Sequence, residues 1–201
     1  MGFNRVAMTV VVLAGAGVAM ADITPVGEFM GDMTEGFENV LPPGGYAGPI
    51  DIFEGNVSMD DTLAHFVVIS FIWSGPGGEV LPYNGNLFGG TVAGSTLFTF
   101  DTPVSDFGGY FTTVGAVPGG SVVFRDAAGG EIGTLPVEIT PAEWAWQGWH
   151  SDTPVSSIEV IGGSVPVASV QYDDLQLNFV PAPSAMTLAV IGAGLSLRRR
   201  R

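Results

Sequence analysis

Residues 121–132 read SVVFRDAAGGEI. Val122, Val123 and Phe124 lead into Asp126-Ala-Ala-Gly129-Gly130, and Ile132 resumes the apolar run. Glycine supplies the positive φ that a tight loop needs, so the stretch reads as a β-hairpin. Outward from it, Ile50 to Phe53, His65 to Trp73, Thr96 to Phe100, Gly109 to Val114 and Ser157 to Ile161 are rich in β-branched and aromatic residues. Glycine and proline clusters separate them, at residues 42–45, 75–78, 89–90, 118–120 and 162–163. Between Asp22 and Phe179 no segment keeps a 3.6-residue apolar period for three turns. Many short strands at this spacing predict one all-β domain, a single β-sandwich of the jelly-roll kind. Thr140-Pro141-Ala142-Glu143 is the local exception. Threonine followed three residues later by glutamate, with proline at the first helical position, predicts a short helical turn.

The charges are unevenly placed. The chain has 201 residues with 20 Asp+Glu, 6 Lys+Arg, two histidines and no cysteine. All six cations are arginine, and five lie near the ends: Arg5, Arg198, Arg199, Arg200 and Arg201. Every acid falls between Asp22 and Asp174, so the body sets Arg125 alone against twenty acids, a net charge of −19. Such a body cannot supply the Lys and Arg that neutralise nucleic-acid phosphates. The lack of cysteine excludes a disulfide scaffold, a thiol nucleophile and a cysteine zinc site. A hydrophobic fraction of 46% separates the chain from disordered acidic sequences.

The two ends read as addresses. Arg5 precedes an apolar run from Val6 to Val18 that closes on Ala19-Met20-Ala21. This order is that of a secretory signal peptide, residues 1–21, with cleavage after Ala21. The domain is then 22–179. From Val180 the chain reads VPAPSAMTLAVIGAGLSLRRRR. Pro181 and Pro183 end the last strand, because proline cannot donate to a ladder. The apolar stretch that follows is short of the ~20 residues a spanning helix needs, and four arginines stop it. A transient, marginal membrane insertion with the body on the far side is the expectation.

The segment 180–201 resembles the C-terminal sorting signal called PEP-CTERM, in a VPAP-type variant with Ala182 where the usual motif has glutamate. The resemblance implies a bacterial protein, export, recognition by an exosortase-type membrane protease, and delivery to the cell surface or exopolysaccharide matrix. A second, looser resemblance spans about Glu35 to Leu177. It rests on Gly36-Phe37-Glu38, Pro103-Val104 with Phe107-Gly108, Ser151-Asp152-Thr-Pro154-Val155 and Asp173-Asp174-Leu175. These are similar to galactose-binding-like and carbohydrate-binding-module jelly rolls. In such domains the first and last strands share a structural Ca²⁺, which carries here to Glu38 and Asp174 with Asp173 adjacent. A hard cation that takes carboxylate oxygens suits an acidic body; the other reading of Asp173 and Asp174 is solvated strand-end acids.

Trp144, Trp146 and Trp149 fall within six residues, beside Gln147, His150 and Asp152. Flat aromatic faces with polar neighbours suit sugar rings. Trp149 and Trp73 read as core, leaving Trp144, Trp146, Gln147, His150 and Asp152 as candidate ligand contacts. Catalysis has little support. His65 opens an apolar strand, and His150-Ser151-Asp152 cannot form a triad, since neighbours on an extended chain face opposite ways. The expectation is a secreted, non-catalytic protein among extracellular polysaccharides. A glycan-active hydrolase and a purely structural matrix component are the alternatives.

Overall fold

The computed structural model describes residues 23–40, 44–46, 48–62, 66–69, 72–91, 94–116, 118–162 and 169–181. The signal peptide with Ala19 and Ala21, His65, and the sorting segment from Ala182 with Pro183 and Arg198–Arg201 lie outside the described residues. The strands begin with β1 (Ile23–Pro25), β2 (Met33–Glu35), β3 (Gly44–Gly45), β4 (Ile50–Ile52) and β5 (Val57–Asp61). Four short ones follow: β6 (Phe66–Ile69), β7 (Trp73–Gly75), β8 (Gly78–Val80) and β9 (Phe88–Thr91). The remainder are β10 (Ser95–Thr112), β11 (Gly120–Arg125), β12 (Glu131–Val137), β13 (Ala145–Gly162) and β14 (Gln171–Phe179).

β10 and β13 are each 18 residues long and run antiparallel to one another. Both pass through two layers. In the first layer, Ser95–Thr99 pairs with Ser157–Ile161, flanked by β5 and β4 on one side and by β11 and β12 on the other. In the second, Asp106–Thr112 lies between Ala145–His150 and β14, with β1 beyond β13 and β2 beyond β14. The register shifts between Thr99 and Val104 and again between Val104 and Asp106. Bulges of this kind let a strand change sheets at a sandwich corner. The expected strands 96–100 and 109–114 are therefore two halves of β10.

Side chains from both layers meet between them. Phe98 and Phe124 of the first layer lie 5.4 Å from Tyr172 and 5.9 Å from Trp149 of the second, ring centre to ring centre. Phe107, Phe111, Leu175 and Leu177 complete the buried inner face of the second layer. The hairpin at 126–130 forms as expected: Asp126 N–H bonds Gly130 O, its Oδ1 accepts the N–H groups of Ala128 and Gly130, and Gly129 takes φ 79°. The expected helical turn at Thr140 does not form. Pro141 bridges to Thr113, Ala142 N–H donates to Thr113 O, and Ala142 sits at φ 57°, outside right-handed helix. Nor do Phe66–Ile69 and Trp73 share a strand, since the former are β6 and Trp73 opens the separate β7–β8 hairpin.

Candidate functional site

The outer face of the second layer carries the chemistry. Phe107, Phe111 and Trp149 point inward, so strand alternation turns Asp106, Tyr110, Trp146 and His150 outward. β1 and β2 lie on opposite edges of this layer, and residues 26–32 must connect them. The crossing spans four strand spacings, roughly 19 Å, which seven nearly extended residues (reach roughly 24 Å) can cover. This strap lies directly on the sheet. Val26 O accepts the Trp146 indole N–H at 3.2 Å, Gly31 N–H donates to Gln176 Oε1 at 2.8 Å, and Asp32 N–H donates to Asn178 Oδ1 at 2.9 Å. Phe29 meets Trp146 edge-on at 5.5 Å. Gly148 makes the close approach possible: a Cβ there would lie 3.0 Å from Val26 O and 2.8 Å from the Trp146 indole nitrogen. The middle of the sheet face is thus occupied by the chain's own segment.

Beside the strap an aromatic ridge emerges. Trp146 contacts Tyr110 edge-on at 5.5 Å, and Tyr110 stacks on Tyr83 with ring centres 3.7 Å apart and planes 18° from parallel. Tyr83 then meets Trp144 at 6.2 Å. Trp144 is anchored by its indole N–H on Leu81 O and by edge contact with Phe88, in a small second core with Val80, Val114 and Trp73. Tyr83 is 43% exposed and Leu81 58%. The hydrogen bond with Tyr83 holds the Tyr110 phenol above its ordinary range, with burial and Glu28 adding to it.

Three acids grip the loop that carries Tyr83. A bulge in β14 is marked by a register shift opposite Gly108–Tyr110 and by Asp174 at φ 45°. It brings the fully buried Asp173 under the loop. Asp173 Oδ2 accepts Tyr83 N–H at 3.0 Å and Asn84 N–H at 3.2 Å, and its Oδ1 accepts Asp174 N–H at 2.8 Å. Glu38 Oε1 accepts Asn86 N–H at 2.6 Å and Leu87 N–H at 2.8 Å. Asp174 Oδ2 takes the Asn84 side-chain amide. The Asn86 backbone N–H is the main cause holding the Glu38 carboxyl below its ordinary range. Burial pushes Asp173 up to about 7, against its N–H bonds.

Glu38, Asp173 and Asp174 therefore gather around one loop, but their geometry does not fit the calcium expectation. A Ca²⁺ ion needs about six to eight oxygens turned to a common point. Both oxygens of Glu38 and of Asp173 face N–H donors instead. Among the described residues no group of three or more His, Cys, Asp or Glu is placed to hold a metal ion.

Asp173 yields a pH prediction. Its folded pKa lies above the unfolded value, so the folded state holds an extra proton between about pH 4 and 7, and stability falls as pH rises through that window. The slope approaches ~1.4 kcal/mol per pH unit at its steepest. Melting temperatures of wild type and Asp173→Asn, the neutral counterpart of the protonated acid, should lie closest near pH 4.5, and the wild type should fall relative to the variant toward pH 8. A gap that does not change with pH removes the role assigned to Asp173.

The remaining expected residues divide. Trp144 and Trp146 join the ridge, Trp146 half under the strap. Gln147 shares the inward direction of Trp149 and is turned from the ridge. His150 Nδ1 lies 2.8 Å from Asp106 Oδ1 and Nε2 3.4 Å from Asp152 Oδ1, at the far end of the face. The Asp106 hydrogen bond is the main cause raising the His150 pKa. Ser105 Oγ donates to Asp106 Oδ2 rather than to the histidine, so the trio lacks the Ser–His contact that activates a nucleophile. Ser151 faces away, its hydroxyl on Thr153 O. Val180 N–H still bonds the body through Pro103 O, with Pro181 exposed.

Tyr83, Tyr110, Phe29 and Glu35 belong to these sites without standing in any of the motifs above. Pro82-Tyr83-Asn84-Gly85 is a turn signal with an aromatic at its tip, and that could have marked Tyr83. Glu35 lines a second feature, a cleft of about 620 Å³ that also borders Glu38, Tyr46, Asp51 and Glu54.

The fold and the site together define a β-sandwich domain with an exposed aromatic ridge beside a strapped sheet face. Neither a protein-family model nor a curated protein matches the sequence. Among solved structures, the chain is similar to a DUF4465 family protein from Bacteroides caccae, at 11% identity and TM-score 0.53, covering 73% of this chain and 98% of that one. It is also similar to a family 11 carbohydrate-binding module from Clostridium thermocellum in complex with a β-1,3-1,4-mixed-linked tetrasaccharide (12% identity, TM-score 0.36, 78% and 100% covered). A third is TmCBM61 in complex with β-1,4-galactotriose (12% identity, TM-score 0.39, 62% and 88% covered). The likeness to the first is one of fold.

Proposed function

We propose that this chain is an exported, non-catalytic glycan-binding protein of the bacterial cell surface or exopolysaccharide matrix. On this reading residues 1–21 direct export and the tail from Val180 is read by an exosortase-type protease. The binding surface is the ridge of Tyr83, Trp144, Tyr110 and Trp146. The carrying observation is the half-exposed Tyr83 ring, stacked on Tyr110 and backed by Trp144, because a fixed aromatic face takes the C–H face of a sugar without further ordering. Charge narrows the ligand. Arg125 is the only cation other than histidine among the described residues, and it is paired with Glu159 at 2.9 Å in the opposite layer. Glu28, Glu38 and Asp174 lie near the ridge with no counter-ion among the described residues, so neutral glycans are favoured over uronate or sulfated ones.

Affinity electrophoresis of the exported protein tests this. Retention is expected in gels containing neutral β-linked glucans or galactans and not in polygalacturonate. Tyr83→Ala should weaken it by about tenfold, a stacking contribution of ~1.4 kcal/mol. Equal migration in every neutral glycan, or retention unchanged by Tyr83→Ala, overturns the reading.

A further inference from the structure

The loop that presents Tyr83 has little apolar anchoring. Leu81 is more than half exposed, Tyr83 is half-exposed, Asn84 to Asn86 are exposed, and of residues 83–87 only Leu87 is buried. Its backbone is held in another way. Five consecutive N–H groups are accounted for: Tyr83 and Asn84 on Asp173, Gly85 on the Asn84 side chain, and Asn86 and Leu87 on Glu38. Gly85 at φ 63° makes the turn, and a Cβ there would strike Glu38. Successive N–H groups converging in a turn form a concavity of positive partial charge that binds anions. Here the acceptors come from the chain itself: the Glu38 carboxylate from the segment after β2 and the Asp173 carboxyl from the β14 bulge.

We propose that Glu38 and Asp173 are positioning residues for the aromatic ridge. Their carboxyl oxygens fill the N–H concavity of loop 83–87 and so fix Tyr83 over Tyr110. The loop thereby takes the place of a cation shared by these acids, and the N–H dipoles repel a metal ion rather than recruit one. Order at the ridge is then independent of divalent metal. The inference does not rest on the glycan reading, because loop order is measured without a ligand.

Amide hydrogen exchange and near-ultraviolet circular dichroism of the exported protein provide the test. Protection of Asn86 and Leu87, and the tyrosine dichroism, should be the same in EDTA and in millimolar Ca²⁺. Glu38→Ala should speed exchange at those two amides by about tenfold or more while Phe107 and Phe111 keep theirs. It should also reduce the tyrosine band. Glu38→Gln, which keeps an acceptor oxygen, should recover most of the protection. If EDTA loosens the wild-type loop as much as Glu38→Ala does, the acids hold a cation and the proposal falls. It falls equally if Glu38→Ala leaves exchange and dichroism unchanged.

Discussion

Phe111→Ala is expected to lower the unfolding free energy by about 3–5 kcal/mol, the range for deleting a buried phenylalanine ring. Phe111 is fully buried, and its ring lies 5.9 Å from Trp149 and 6.3 Å from Tyr172. Of the two residues whose rings it meets, Trp149 lies on β13 between β10 and β1, and Tyr172 on β14 between β10 and β9. The wall around the missing ring can therefore relax only a little, and most of the cavity term survives. Against a typical total of about 5–15 kcal/mol, the loss would put the variant near the edge of folding. Urea denaturation checks it: the midpoint should fall with an unchanged slope. A loss below ~1 kcal/mol would mean that the ring does not fill the core at this point.

Glu35→Ala is expected to cost about 2–5 kcal/mol, because it strips the acceptor from two buried donors at once. Glu35 is nine-tenths buried; its Oε1 accepts Phe37 N–H and its Oε2 accepts Phe53 N–H, both at 2.7 Å. Both phenylalanines sit at positive φ, 62° and 51°, a region that costs a bulky residue of order 1–3 kcal/mol. Both rings are also fully buried. The carboxylate thus holds two strained turns in the one conformation that seats two core rings. Glu35→Gln leaves one strong acceptor and should fall between wild type and alanine. The same urea series decides the matter. An alanine variant within about 1 kcal/mol of wild type would show that the turns hold without the carboxylate.

What was legible from the residues had local causes. The 121–132 hairpin is encoded by glycine and by an Asp126 side chain that bonds N–H groups within four residues. The core role of Trp149 and the convergence of Glu38, Asp173 and Asp174 were legible too. The second came through the resemblance of the opening Gly-Phe-Glu and closing Asp-Asp-Leu to a known fold. The role of those acids was not legible. Their partners lie on a loop separated from them by about 50 and 90 residues, and nothing local announces which donors a carboxylate will meet. The candidate sugar contacts divided for a related reason. Trp146 and Gln147 differ by one position, and only the register against Tyr110 and Gly109 decides which of them faces out. Thr140-Pro141-Ala142-Glu143 misled because tertiary pairing with Thr113 outweighed a capping signal with no apolar helical face behind it.

By itself the sequence determined an all-β, cysteine-free, strongly acidic body with a single arginine. Strand composition, turn residues and charge are properties of residues or of short runs. Only the tertiary structure decided that residues 26–32 strap the sheet face, that Tyr83 crowns a ridge beside the strap, and that three acids clamp the Tyr83 loop. Each of those depends on which edge a strand joins, or on the bulge at Asp174. Where side chains alternate every residue, one bulge changes which group lies buried under a loop, and the choice is made by non-local pairing.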